Sequence, residues 1–237
     1  MKIDNDNAEF PLNGYVSTTD PTAFGIFDGM GGEECGEIAS LIAAEKASAA
    51  VFGEDAVADI SKYCLEANEE ICRYARDNYV AAMGTTAAML VFANTKIVLC
   101  NIGDSKIFRF SKGKLEQISQ DHVTVSSYGT KPPLSQNLGI PTSELVIEPY
   151  IAVGEYINND IYLICSDGLT DMVPLDEIKS ILKDTEFDET VQRLLNRAMA
   201  NGGKDNISII ACKIEYSIGR LINKMFMKKE RGTNHDN

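Results

Sequence analysis

Five aspartates in this chain stand where carboxylates can do chemistry. Three follow apolar runs and precede a turn residue: Asp28-Gly29, Asp104-Ser105 and Asp167-Gly168. Asp205 lies in GGKDN just ahead of another apolar run, and Asp6 sits near the N-terminus. Carboxylates at strand ends can converge across the rim of a sheet. Together they repel one another unless they are protonated or share cations. Oxygen-only ligand sets select hard cations such as Mg2+ or Mn2+. The two histidines, His122 and His235, form neither an H-x-H nor an H-E-x-x-H, which argues against a histidine-built zinc site. Taken singly, each motif also fits a plain turn, because Asp-Gly is a common turn dipeptide. His122, after Asp121, reads as a loop or packing residue. The ordered set is what no single turn explains.

The charge balance sharpens the question. With 22 Lys and Arg against 35 Asp and Glu, the net charge is −13. Such a chain repels a nucleic-acid backbone and anionic membrane surfaces. An enzyme acting on phosphates then needs a local reversal of the field, which a bound cation supplies. The six cysteines include no C-x-x-C, and Cys100, Cys165 and Cys212 lie in apolar runs. They read as reduced core thiols of a cytoplasmic protein. The N-terminus, MKIDNDNAEF, has no apolar signal region. The run Ala39 to Val51 is too short to span a membrane and is broken by Glu45 and Lys46.

The elements that must position the aspartates follow from periodicity. Thr22 to Phe27 reads as a buried strand ending at Asp28. Gly36 to about Val51 is Ala-rich and helical. A second helix runs from about Glu54 to Tyr79, with an apolar stripe of Val57, Ile60, Cys64, Ala67, Ile71 and Tyr74. Thr85 to Ala93 and Lys96 to Asn101 form a hairpin across Asn94-Thr95. Ile107 to Phe110 and Leu115 to Ile118 form another, with SKGK as its solvated tip. Asp160 to Cys165 is a buried strand, Leu175 to Leu182 and Thr190 to Ala200 are helices, and Asn206 to Ile214 is the last strand. Helices fall between groups of meandering strands, so an α+β sandwich is expected rather than a doubly wound sheet. One domain spans residues 1–214. A basic amphipathic helix and polar tail, 215–237, follow it.

The ordered motifs resemble the metal-dependent Ser/Thr protein phosphatases of type 2C. They are FGIFDGMGGEECGEIAS, GTTAAMLVF, CNIGDSKIFRF, QDHVTVSS, LSQNLG, ICSDGLTDMV and GGKDNISII, in the family's order over about residues 5–214. DGMGG, with Met30, is similar to the bacterial branch. The resemblance implies two antiparallel β-sheets packed face to face, with helices on both outer faces. It implies two Mg2+ or Mn2+ ions, bridged by Asp28, with the Gly29 carbonyl as a further ligand. Asp167 and Asp205 would complete the other ion's ligands, and Asp104 would help hold a third, weaker ion. A water activated by both ions would attack phosphorus without a Ser or Cys nucleophile.

The start of the chain departs from the family pattern. One register sets Lys2 at the phosphate-binding Arg position, with Asp6 at the family Glu. The other sets Asp6 at the family Asp and Met1 at the Arg position. The stretch from Asp121 to Leu134 is shorter than in bacterial members with a flap over the site. The expected substrate is a phosphorylated protein, a Ser/Thr kinase or its targets. Three other readings share these features: a weakly catalytic phosphoprotein-binding relative, a phosphatase of an anti-sigma-factor antagonist, and a structural Ca2+-binding protein, although no EF-hand loop is present.

Overall fold

Unbroken apolar runs decide the layering, because each of them must bury both faces. The structure, a computed structural model, describes residues 22–30, 35–93, 96–125 and 132–216. In β2 (Ala87–Ala93), Ala87, Met89 and Val91 face one apolar layer, while Ala88, Leu90 and Phe92 face another. The alternation recurs in β3 (Lys96–Ile102) and in β7 (Ile161–Cys165). Two antiparallel four-stranded sheets result.

The first sheet has the order β1-β2-β3-β6, with β1 at Thr22–Ile26 and β6 at Tyr150–Glu155. The second has the order β5-β4-β7-β8, with β4 at Lys106–Ser111, β5 at Lys114–Gln117 and β8 at Ile209–Lys213. Ile26, Leu90, Phe92, Leu99, Ile107, Tyr162 and Ile164 fill the space between the sheets. Helices α1 (Gly36–Ala49) and α2 (Ala56–Asp77) cover the outer face of the first sheet. The outer face of the second is covered by α3 (Asp167–Thr170), α4 (Leu175–Asp184) and α5 (Phe187–Ala200). The expected α+β sandwich, with helices on both outer faces, is what forms.

Details differ from the pattern. The buried stripe of α2 starts at Ala56 and continues through Ile60, Tyr63, Cys64, Ala67 and Ile71. Val57 lies a hundred degrees further round and is 39% exposed. Asp55 caps the helix by accepting the Ala58 N–H at 3.1 Å. β8 begins at Ile209 rather than Asn206, because Asn206 and Ser208 bond to Ser166. Thr85 and Thr86 likewise lie outside β2, engaged by the loops at Leu138 and Asp28. α5 begins at Phe187, three residues before its expected start. β6 and α3 were not expected. The hairpin between β2 and β3 does form, with Ala93 opposite Lys96. The β4–β5 tip carries positive φ at both Lys112 and Gly113, the two-residue turn whose twist suits a hairpin. The basic segment after residue 216 lies outside the described residues.

Cys64, Cys100 and Cys165 are buried, and Cys35, Cys72 and Cys212 are partly buried; all are free thiols. No helix among the described residues is long and apolar enough to cross a membrane.

Leu90 sits in a cross-strand row with Phe24 and Leu99 and has no exposed surface. Leu90→Ala is expected to cost about 2–5 kcal/mol, because the facing sheet cannot collapse into the cavity. Urea unfolding should show a lower midpoint at an unchanged slope. A loss below about 1 kcal/mol would contradict this packing.

Candidate metal centre

Strand register brings four acidic turns to one end of the sandwich. β1 ends at Ile26, opposite Ala88, and Ala87 faces Ile102 at the end of β3. These strand ends share one rim. Gly103, Asp104 and Ser105 then cross to the second sheet, where Lys106 pairs with Cys165 at the end of β7. Cys165 also faces Ile209, the first residue of β8. Asp28, Asp104, Asp167 and Asp205 therefore all stand at this rim, just outside or at the edge of a strand end.

The four turns are tied in pairs. The Asp28 N–H donates to Thr86 Oγ1 at 3.1 Å, and the Thr86 N–H donates back to the Asp28 carbonyl at 2.9 Å. Thr86 Oγ1 lies 2.7 Å from Ser105 Oγ, beside Asp104. Across the rim, Ser166 Oγ donates to the Asn206 carbonyl at 3.2 Å and accepts the Ser208 N–H at 3.0 Å. That tie holds the Asp167 turn against the Asp205 loop.

The two Asp-Gly dipeptides need glycine for lack of space rather than for turn geometry. A Cβ on Gly29 would lie 2.2 Å from the Gly36 carbonyl oxygen, and one on Gly168 would lie 2.2 Å from that of Asn206. Neither glycine has the positive φ that Gly103 does. So Gly29 seats the Asp28 turn against the start of α1, and Gly168 seats the Asp167 turn on the loop before β8.

Asp104 and Asp167 are buried, at 8% and 6% exposure, Asp28 is half-buried and Asp205 is exposed. Burying a carboxylate is costly without a compensating charge or donor. The groups gathered here are carboxylate and carbonyl oxygens, the ligand type of hard divalent cations. Cys165 faces the opposite, outer layer under α3–α5. The residues present thus fit Mg2+ or Mn2+. Among the described residues, no three acidic, thiol or imidazole side chains converge closely enough to hold one ion. The rim assembles the loops, and residues 1–21, with Asp6 and Lys2, lie outside the described set.

Sequence reasoning missed Thr86, Asn101, Ser105 and Ser166. Their signal was polar residues abutting apolar strands, beside an aspartate in NIGDS and CSDG and without one in GTT. His122 is a loop residue. Its Nδ1 accepts the Gly103 N–H at 3.3 Å, and its own N–H donates to the Gly103 carbonyl at 2.9 Å. Lys106 pairs with Asp121 and donates to the Asp104 carbonyl at 3.3 Å. The Asp104 crossover is thus braced from two sides.

The layering and the acidic rim are those of a metal-dependent hydrolase. A sequence model of the protein phosphatase 2C family matches residues 19–209, and the chain belongs to that family. The Listeria monocytogenes "Serine/threonine phosphatase stp" is 29% identical over 205 residues, 78% of this chain and 81% of the relative. The crystal structure of the Mycobacterium tuberculosis serine/threonine phosphatase PstP/Ppp has a TM-score of 0.73 at 26% identity, covering 86% of this chain and 95% of that one. A structure of the PstP catalytic domain "in complex with 2 Manganese ions" has a TM-score of 0.71 at 26% identity and the same two coverages. The chain is an enzyme of the Ser/Thr protein phosphatase class, with divalent-metal dependence.

Burial lowers the pKa of His122 from its ordinary 6.5, outweighing Asp121, whose charge favours the imidazolium. As pH falls below about 6.5, the unfolded chain takes up the proton first, so stability drops with falling pH. The loss levels off once the native imidazole is protonated as well. Urea midpoints from pH 7.5 to 5.5 should fall less steeply for His122→Gln than for wild type. Equal slopes would show that His122 is solvated like a free imidazole.

Proposed function

We propose that this chain removes phosphate from phosphoserine and phosphothreonine on proteins, with Asp28, Asp167 and Asp205 holding two divalent cations. The carrying observation is that their turns share one rim of the sandwich. Bound cations would supply the charge that neutralises phosphoryl oxygens and lower the pKa of a water toward neutrality. Asp28 would be shared by the pair, and the Gly29 carbonyl would be a further ligand. Asp104 would help to hold a third, weaker ion, and Asp6 would add an N-terminal carboxylate. Both Mg2+ and Mn2+ suit these oxygen donors, and Mn2+ is the practical probe.

The residues of the chain make other routes poor. Burial pushes the Cys165 thiol, two residues before Asp167, up to about 12, which makes it a poor nucleophile at neutral pH. Asp205, exposed in the loop before β8, holds its place through neighbouring Asn206, whose N–H donates to Asp205 Oδ1 at 2.8 Å. The catalytic unit is residues 1–214, acting in the cytoplasm on a Ser/Thr kinase or the targets of one.

Turnover of a Ser/Thr phosphopeptide should require Mn2+, stop with EDTA and exceed that of a phosphotyrosine control. Asp28→Asn should lower kcat by orders of magnitude while the far-UV spectrum stays native. Near wild-type, Mn2+-dependent turnover in that variant would sink the assignment.

Lys2 is the phosphate contact in this reading, a point charge where a bidentate Arg fork would bind more strongly. A high KM for small phosphoesters follows. Lys2→Ala should raise KM further with little change in kcat, as when ground state and transition state lose equal binding. If both constants stay at their wild-type values, the register with Met1 at that position is the correct one.

A further inference from the structure

The layer between the sheets is apolar along its length and turns polar at the aspartate rim. There, Thr86 is 3% exposed, and Asn101 and Ser105 have no exposed surface. They form one chain of contacts: Asp28 N–H to Thr86 Oγ1 at 3.1 Å, Thr86 Oγ1 to Ser105 Oγ at 2.7 Å, and Asn101 Nδ2 to the Ser105 carbonyl at 2.8 Å. The chain runs from the turn that carries Asp28 to the crossover that carries Asp104.

Stability alone does not account for these residues. Asn101 follows Ile97 and Leu99 on the face turned to the second sheet, where a leucine would pack. Its Oδ1 is buried and meets no donor among the described residues, and burying an unmatched amide oxygen is destabilising. What the amide does in return is fix the Ser105 carbonyl. Thr86 is held on its other side too, because Gly103 lies against its methyl group. A Cβ on Gly103 would come 2.6 Å from Thr86 Cγ2. The Thr86 hydroxyl therefore has one direction open to it, toward Ser105 and the Asp28 N–H.

We propose that Thr86 and Ser105 are positioning residues for cation binding, their hydroxyl pair coupling the Asp28 turn to the Asp104 crossover so that the two carboxylates are set as a unit. The proposal rests on the reading of these aspartates as cation ligands. Both residues are buried away from the surface a substrate would approach. Each acts through an adjacent aspartate, as an outer partner of a metal ligand does. Because the two hydroxyls form one link, removing either breaks it, and removing both adds little more.

The test is Mn2+ binding by titration calorimetry on the full chain, without substrate. Thr86→Val keeps the shape and the methyl group and deletes the hydroxyl. It and Ser105→Ala should each weaken Mn2+ binding about tenfold or more. The double variant should be no weaker than the weaker single one, and Thr86→Ser should bind as wild type does. A merely structural role would lower the melting temperature and leave the Mn2+ affinity unchanged, and that outcome, or strict additivity of the two losses, overturns the proposal. Should Thr86→Val not fold, Ser105→Ala and Thr86→Ser decide alone. Wild type that binds no Mn2+ overturns both the cation reading and this proposal. Wild type that binds Mn2+ but leaves a phosphopeptide intact overturns the phosphatase reading while the binding cycle still decides this one.

Discussion

The crossing from the first sheet to the second takes three residues, Gly103, Asp104 and Ser105. Four Cα–Cα steps reach at most about 14 Å, and facing sheets pack about 10 Å apart. The chain has no slack to turn aside, so the end of β3 and the start of β4 must lie at the same rim. Antiparallel pairing then does the rest. It sets β1's end and β2's start beside β3's end, and β7's end and β8's start beside β4's start. Every acidic turn of the site inherits its place from that crossover. This is why the crossover is braced by Thr86, Asn101, His122 and Lys106 rather than left as an open loop.

Electrostatics gives the same rim its purpose. A chain of net charge −13 gathers some of its acidic residues, two of them buried, at one end. Hydrophobic packing between the sheets brings the turns together, and carboxylate repulsion resists their closest approach. Divalent cations held there, as proposed, would resolve that opposition. On that reading the scaffold would preorganise the site and its ions would complete it.

Much of this was legible in the residues. The apolar runs at Ala87 to Phe92 and Ile161 to Cys165 announced central strands, and the aspartates that follow the runs at Thr22 to Phe27, Lys96 to Asn101 and Asp160 to Cys165 announced the rim. β6 was missed because, as an edge strand, it has one neighbour and mixed exposure, and so it lacks the long apolar run of β2. α3 was missed because a single turn leaves no periodicity. Val57 was misread because three- and four-residue spacing fits two adjacent stripes, and only tertiary packing chose the one through Ala56. Asp-Gly looked like turn chemistry, whereas the requirement is close backbone approach at Gly36 and Asn206, which no local pattern encodes. The hydroxyls of Thr86 and Ser166 depend on partners 19 and 40 residues away, beyond the reach of any window along the sequence.

Both helices of one outer layer are inserted between β1 and β2, and β8 is the last described strand although it pairs with β7 and packs near β1. Such long-range pairing makes for a high contact order and a slow folding step. It also orders events during synthesis. A growing chain displays Asp28, Asp104 and Asp167 well before Asp205 is made, so the rim reaches its full set of carboxylates only when β8 can dock. A chain broken off before that point keeps most of its core-forming sequence and lacks the finished site. The order of translation therefore holds back any chemistry that needs all four turns until the sandwich is whole.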